Sequence, residues 1–265
     1  MKISKSELKY VRSLSQKKVR NAEKKFLLEG WRALKDVLNS SFQVEMVCIA
    51  HRYLDDPDYA KIVKDIRERH IPLKELTELE LRQASETVQA QGVIAVVRQQ
   101  TLELSDRLLR SASLIVAADA VADPGNVGSI LRTADWFSAD LVMLGKGCVE
   151  LYNEKVVRST VGSLFHVPVV EGVDLMAELE QLKKQAFSIV GLSADGNVPF
   201  TDHAWGTKNV LVVGNEAHGV GKETRAVSDV VVKIPRFGNA ESLNVGVACG
   251  IVLAHLRTRN QTPRS

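Results

Sequence analysis

The sequence predicts an α/β protein whose second half is a parallel sheet covered by helices on both faces. Two observations carry this expectation. From residue 114 onward, short apolar runs rich in Val, Ile and Leu alternate with stretches of helical periodicity. Such runs, lacking polar alternation, read as strands buried on both faces, and strands alternating with helices read as parallel. The 265 residues also hold 45% hydrophobic and 25% charged side chains. That balance suits a globular protein with a sizeable core and excludes a collagenous, mucin-like or wholly disordered chain.

The elements follow in order. Residues 5–21 are polar with Leu8, Val11 and Leu14 on one face, which reads as a helix. Residues 26–38 read as a second helical stretch, 44–50 as an apolar strand, 58–69 as a helix, 78–85 as a short helix and 92–97 as a buried strand. Residues 98–110 are polar and rich in Gln and charge; they read as a linker or boundary helix between domains 1–100 and 101–265. Beyond it, 114–118, 141–144, 167–170, 189–193, 210–214 and 230–234 read as strands. Residues 175–185 and 243–259 read as helices, the last with Gly246, Ala248, Gly250 and Ala254 along it. In parallel sheets of this kind, ligands bind where the carboxyl ends of strands run into helices.

Charge is unevenly spread. The chain carries a net +3, yet residues 1–36 hold 11 Lys+Arg against 4 Asp+Glu. A basic end points to a polyanionic partner or to a solvated basic helix, and charge alone does not choose between them. Cys48, Cys148 and Cys249 are far apart and odd in number, so no disulfide framework is expected. The six histidines show no HxxxH or HExxH spacing, so no metal site is expected. With no signal-like or membrane-spanning apolar run, the expected location is cytoplasmic, away from membranes.

Three strand-to-helix junctions hold the polar residues of interest. In DPGNVGSILRTADWF, residues 123–137, Pro124 and Gly125 suit a turn, Asn126 suits a cap, and Arg132 follows about one and a half turns into a helix, facing the same opening. In LVVGNEAHGVGKE, residues 211–223, a buried strand ends at Gly214 and polar Asn215 and Glu216 follow at once. GVGKET superficially resembles a phosphate-binding P-loop, but that loop needs Gly where Glu216 stands and Ser or Thr where Glu223 stands. GxGxxG is also missing after every expected strand, which argues against a dinucleotide-binding dehydrogenase. In IPRFGNAESLNVGVACG, residues 234–250, Pro235 stops a strand and Ser242 reads as the N-cap of the closing helix. A helix amino end offers free N–H groups to a ligand.

These three segments, in this order and spacing over residues 112–259, resemble the three motifs of the SpoU family, the TrmH-type branch of the SPOUT RNA methyltransferases. Residues 156–170, VVRSTVGSLFHVPVV, are similar to the family's link between its first two motifs. Thr160 stands where the family usually shows Ser, and Ala217 and Gly246 where other small residues are common. More loosely, residues 17–38 and 91–97 resemble the family's amino-terminal substrate-binding domain, similar to the ribosomal protein L30e/L7Ae fold.

The resemblance implies a carboxy-terminal α/β domain with a deep trefoil knot, a homodimer whose site is completed across the interface, and S-adenosyl-L-methionine as cofactor without a metal. It implies methyl transfer to a ribose 2′-hydroxyl, in ribosomal RNA ahead of transfer RNA; a non-catalytic RNA-binding assembly factor on the same fold is the other reading. Carried over by position, Asn126, Arg132, Glu216, Ser242 and Asn244 are catalytic. Leu192, Ser193, Gly214, Asn215, Gly219, Ile234, Pro235, Ser242, Leu243 and Val245 bind the cofactor, largely through backbone groups. Lys17, Lys18, Arg20, Lys24, Lys25 and Arg32 become candidates for RNA backbone contact. The arginine at position 132 is proposed in the family as the base that takes the 2′-hydroxyl proton. A protonated guanidinium has no acceptor, so Arg132 is read instead as a clamp on RNA phosphate and a stabiliser of the developing oxyanion.

Overall fold

The computed structural model describes residues 1–85 and 90–260. It contains two compact units. One comprises residues 1–100 together with 152–165; the other comprises residues 101–151 and the chain from 166 onward.

In the first unit, helices α1 (Lys5–Ser13) and α2 (Lys17–Glu23) precede strand β1 (Lys25–Glu29), followed by α3 (Trp31–Leu38), β2 (Val44–Ala50), α4 (Ala60–Glu68), β3 (Leu73–Leu76), α5 (Glu78–Ala84) and β4 (Val93–Arg98). The mixed sheet runs β1-β4-β2-β3, antiparallel except for the β2–β3 pair. The expected helix over 26–38 is therefore half strand. Phe26, Leu27 and Leu28 are all buried, and three consecutive apolar residues fit a strand covered on both faces as well as they fit a helix. Gly30 separates the two elements at φ +100°, where a Cβ would fall 2.2 Å from the Gln91 side chain. The single helix expected over 5–21 is two, because the chain turns at residues 14–16. Ser4 and Glu7 form a reciprocal capping box at the start of α1.

Residues 152–165, expected in the second domain, pack in the first unit. The Tyr152 hydroxyl donates to the Gln100 carbonyl at 2.7 Å and accepts from its N–H at 2.9 Å. Its ring lies 4.6 Å from that of Phe26, while Phe165 meets Phe42 edge-on at 5.1 Å. A short helix, α8 (Glu154–Thr160), runs through this segment. The first unit ends at Gln100 and gains this second segment, whose aromatic burial no motif reports.

The second unit begins with α6 (Asp106–Arg110) and continues through β5 (Leu114–Asp119), α7 (Pro124–Trp136), β6 (Leu141–Gly145), β7 (Val169–Val173), α9 (Leu175–Lys184), β8 (Ser188–Leu192), β9 (Val198–Pro199), β10 (Asn209–Gly214), α10 (Lys222–Val227), β11 (Val230–Lys233) and α11 (Val245–Asn260). Every strand pair is parallel, in the order β7-β6-β5-β10-β8-β11-β9. Ile115, Ala117, Leu141, Met143, Ile189, Val210 and Val212 of the sheet bury against Leu179, Leu182 and Val227 of the helices. The chain runs outward from β5 through β6 to β7, then returns to build the other half, so the direction of winding reverses between β5 and β10. The carboxyl edge at such a reversal is where doubly wound sheets hold ligands, and Asp119 and Gly214 stand there side by side in register. Helix α11 packs on α7. Gly246 permits this, since a Cβ there would come within 2.8 Å of Ser129 Cβ. Among the described residues no helix is long and apolar enough to cross a membrane, and no group of His, Cys, Asp or Glu is placed to hold a metal ion.

Candidate active site

Local capping sets the site. At the first junction Asp123, not Asn126, caps α7: its Oδ1 accepts from the Asn126 N–H at 3.0 Å, with Pro124 at the first helical position. An Asp-Pro pair ahead of a helical run is a start signal that the sequence did carry. At the third junction the cap is Asn244, whose Oδ1 accepts from the N–H groups of Gly246 (2.9 Å) and Val247 (3.3 Å). Ser242, expected as the cap, lies three residues before the first helical residue, Val245, and is exposed, as is Leu243.

With both caps assigned, the Asn126 side chain is released for another task. Its Nδ2 donates to Glu216 Oε1 at 2.7 Å, and its Oδ1 accepts from Asn244 Nδ2 at 2.8 Å. Glu216 also accepts from the backbone N–H groups of Asp123 (3.1 Å) and Ala122 (3.4 Å). One amide thus joins all three junctions. Burial pushes the Glu216 carboxyl upward, but the Asn126 amide and the backbone N–H groups outweigh it and hold the group below its ordinary value. Glu216 is therefore the anionic, acceptor-only end of a directed chain, Asn244 to Asn126 to Glu216.

The turn after β10 is tight. Asn215 and Gly219 exchange backbone hydrogen bonds at 2.9 and 2.8 Å. The Asn215 side chain closes the turn, accepting from Ala217 N (2.9 Å) and His218 N (3.3 Å) and donating to the Ala120 carbonyl (2.8 Å). A Cβ on Gly214 would fall 2.0 Å from the Gly219 carbonyl carbon. Asn215, expected at the cofactor, therefore spends its side chain on shaping the loop. Asp119, which motif reading passed over, accepts from the Gly221 N–H at 2.8 Å and ties the far end of the same turn to β5.

Ser193 follows β8, its N–H bonded to the Val232 carbonyl at 3.0 Å, and Leu192 is buried at the strand end. Between residues 234 and 243 no main-chain group has a hydrogen-bond partner among the described residues. This stretch includes Ile234, Pro235 and Leu243, and Val245 opens the helix after it. Arg132 is exposed and has no ion-pair partner among the described residues. Arg132 and Asn126 both lie within α7, six residues apart. Six residues along a helix turn the side chain about 120° away and carry it roughly 9 Å onward.

The model of the SpoU rRNA Methylase family matches residues 113–254. The chain belongs to the SpoU family. Residues 5–95 match an MRM3-like substrate binding domain. Among curated proteins, the SpoU chain is 32% identical to the 23S rRNA (guanosine(2553)-2′-O)-methyltransferase RlmP of Bacillus subtilis, over 93% of this chain and 94% of that one. Among solved structures, a putative RNA methyltransferase of the TrmH family from Porphyromonas gingivalis is 28% identical, with a TM-score of 0.84 over 98% of this chain and 100% of that one. An rRNA methyltransferase from Sinorhizobium meliloti with bound AdoMet is 25% identical, with a TM-score of 0.84 over 99% and 98%.

The SpoU chain's basic segment divides on burial. Lys17, Lys18, Lys24 and Arg32 are exposed. Arg20 is not available to a partner: it is 3% exposed, and its guanidinium donates to the carbonyls of Leu14, at 3.2 Å, and Ser15. Lys25 is half-buried, with Nζ 2.7 Å from Glu45 and 3.1 Å from the Tyr10 hydroxyl. The Glu45 carboxylate first, and then Tyr10, raise its pKa. A buried or paired cation costs desolvation and rearrangement to release, so neither side chain stands ready for the RNA contact expected of the basic run.

Proposed function

We propose that this protein transfers a methyl group from S-adenosylmethionine to a ribose 2′-hydroxyl of ribosomal RNA. The observation that carries the reading is the Asn244–Asn126–Glu216 chain, which unites the three SpoU motifs with every polar member in place. A non-catalytic assembly factor has no need of that set. Supporting it are a relative named as a 23S rRNA methyltransferase and a similar structure with AdoMet bound.

The cofactor site in this reading is the carboxyl edge around Gly214. A run of unspent main-chain donors and acceptors over residues 234–243 fits a ligand held by backbone groups rather than by charged side chains. The main chain of Gly214, Ile234 and Leu243 would hold it, with Leu192 and Ser193 lining the pocket and Asn215 and Gly219 setting its shape. When bound, S-adenosylmethionine supplies an activated methyl group on a sulfonium, so the protein's task is in-line positioning. The region 234–260 would be drawn into a trefoil knot, as in the family.

A homodimer accounts for Arg132. Ser129, Arg132 and Trp136 share one exposed face of α7, spaced three and seven residues apart. Trp136 is 82% exposed, with Val247 of α11 and Leu243 also exposed nearby in sequence to the site. Large apolar side chains at the surface mark association faces. Because helix spacing turns Arg132 about 120° from Asn126, it would serve the site of the second copy. There its fork would clamp a substrate phosphate and stabilise the developing 2′-oxyanion. The 2′-hydroxyl proton passes to the substrate's own phosphate oxygen, since the guanidinium cannot take it.

The test is transfer of labelled methyl to ribosomal RNA, followed by mapping of the labelled nucleotide. Label in a ribose of ribosomal RNA is expected. Label confined to transfer RNA would replace the substrate, and no transfer to any RNA would sink the reading. Arg132→Lys keeps charge but loses the fork, and near-full activity in it would refute the clamp.

A further inference from the structure

Outside the three motifs, one ion pair stands on the same edge of the sheet. Arg225, on α10, places its Nη1 2.9 Å from Asp195 Oδ2 and its Nη2 2.9 Å from Asp195 Oδ1. The Ser193 hydroxyl donates to Asp195 Oδ1 at 2.5 Å. Asp195 belongs to the loop that leaves β8, and Arg225 to the helix that follows the turn leaving β10. Those strands are paired in parallel up to Leu192 and Val213, so both loops depart from one edge as neighbours. They also approach each other directly, since the Ser193 hydroxyl oxygen lies 3.6 Å from where a Cβ on Gly219 would sit.

This fork is a poor stabiliser and a good spacer. The Asp195 side chain is 68% exposed and that of Arg225 31%. Exposed pairs contribute little to folding because water and salt screen them. A bidentate guanidinium–carboxylate contact nevertheless fixes distance and angle together. The carboxylate is reliably charged: Arg225 first, then Ser193, hold Asp195 at about 2.

We propose that Arg225 and Asp195 are positioning residues of the cofactor pocket, setting the gap between the Ser193 loop and the Gly214–Gly219 turn. The proposal rests on the S-adenosylmethionine reading above and adds to it two residues that lie outside every motif. Neither touches the reacting atoms; both act through Ser193 and the turn.

Calorimetric titration with S-adenosylmethionine tests this on the intact protein. The variants are Arg225→Lys, Asp195→Asn and the exchanged pair Arg225→Asp with Asp195→Arg. Each single variant is expected to bind the cofactor about tenfold more weakly, because lysine keeps the charge and loses the fork and asparagine keeps the shape and loses the charge. In steady-state assays the loss should fall on KM for S-adenosylmethionine rather than on kcat, with RNA affinity unmoved. The exchanged pair should recover most of the binding. Rising salt should weaken the wild type toward the single variants, whose own affinities change less. Single variants within twofold of the wild type would overturn the proposal. So would a loss that tracks a lower Tm and is not recovered by the exchange, which would make the pair structural. If the wild type itself fails to bind at millimolar cofactor, the methyltransferase reading fails first and the proposal falls with it.

Discussion

Asn126→Asp is the sharpest perturbation of the site. It preserves shape and keeps an acceptor for Asn244, but it removes the donor to Glu216 and sets a second carboxylate 2.7 Å from Glu216 Oε1. A hydrogen bond to an ionised acceptor contributes about 1.5–3 kcal/mol, and the exposure of Glu216 places this one near the lower figure. Two like charges about 3 Å apart repel by roughly 1.4 kcal/mol even at the dielectric of water. The sum is about 3 kcal/mol, or roughly a hundredfold in rate if turnover needs the three junctions joined. The pH dependence gives a second signature. In the wild type the Asn126 amide helps hold the Glu216 carboxyl down. In the variant two carboxyls compete for one site, so the pair takes up a proton at higher pH and regains a donor. Initial rates of labelled methyl transfer from about pH 5 to 8.5 should therefore rise toward acid in the variant and not in the wild type. Adding Glu216→Gln should recover part of the activity. Recovery stays partial because the glutamine Nε2 that donates to the carboxylate at 126 takes the place of Oε1, so the Asp123 N–H, 3.1 Å from that atom, faces a donor and loses its acceptor. Activity of Asn126→Asp within threefold of the wild type at pH 8, with no rise on the acid side, would refute the role given to this chain.

Three further outcomes are expected. Asn244→Ala should lower stability by about 0.5–2 kcal/mol, the worth of a helix cap, and lower activity as well, whereas Ser242→Ala should leave Tm nearly unchanged; thermal melts of the two decide which residue caps α11. Burial, and then Arg259, lower the pKa of His203 below 6.5, so stability from its neutral form is complete above 6.5 and is lost as pH falls through the lowered value; Tm should drop below pH 6.5, and His203→Phe should flatten that drop. Charge reversal at Lys18, Lys24 or Arg32 should weaken RNA binding and reduce its salt slope by about one per lost phosphate contact, while Arg20→Ala should instead lower Tm with the slope intact, as filter binding across a salt series would show.

The parallel half of the fold was readable because its strands are buried on both faces, which leaves uninterrupted apolar runs such as Val210–Val213. β1 was not, because Phe26–Leu28 satisfies either period and only the partner strand β4 decides. The motifs pointed to Asn126, Glu216 and Asn244, which the fold joins by hydrogen bonds, but not to which residue caps which helix. At each helix start two residues can cap, Asp123 or Asn126 before α7 and Ser242 or Asn244 before α11, and the actual pattern, Asp123 and Asn244, follows from where the two helices begin. Arg132 and Asn126 lie on one helix, yet the expectation that they share an opening depended on where that helix starts, and moving the start to Pro124 turns them apart. Arg20 reads as one more cation in a basic run until its burial is known. The Arg225–Asp195 fork is separated by 30 residues in sequence and leaves no local pattern at all.

The chain passes between its two units three times, near residues 100, 151 and 165, and this has a consequence for how the protein comes apart. Tyr152, Val156, Val157 and Leu164 are at most 4% exposed, and the cover over them includes Phe26 and Gln100. The catalytic unit is thus not a cassette that a single cut can release. Excising residues 1–100 would bare a greasy strap in the middle of the remaining chain, and trimming even the first 36 would strip Phe26 from Tyr152. Loss of RNA binding in such a truncation would report unfolding rather than the absence of a basic arm. Domains exchanged between relatives would have to carry residues 152–165 with the amino-terminal part.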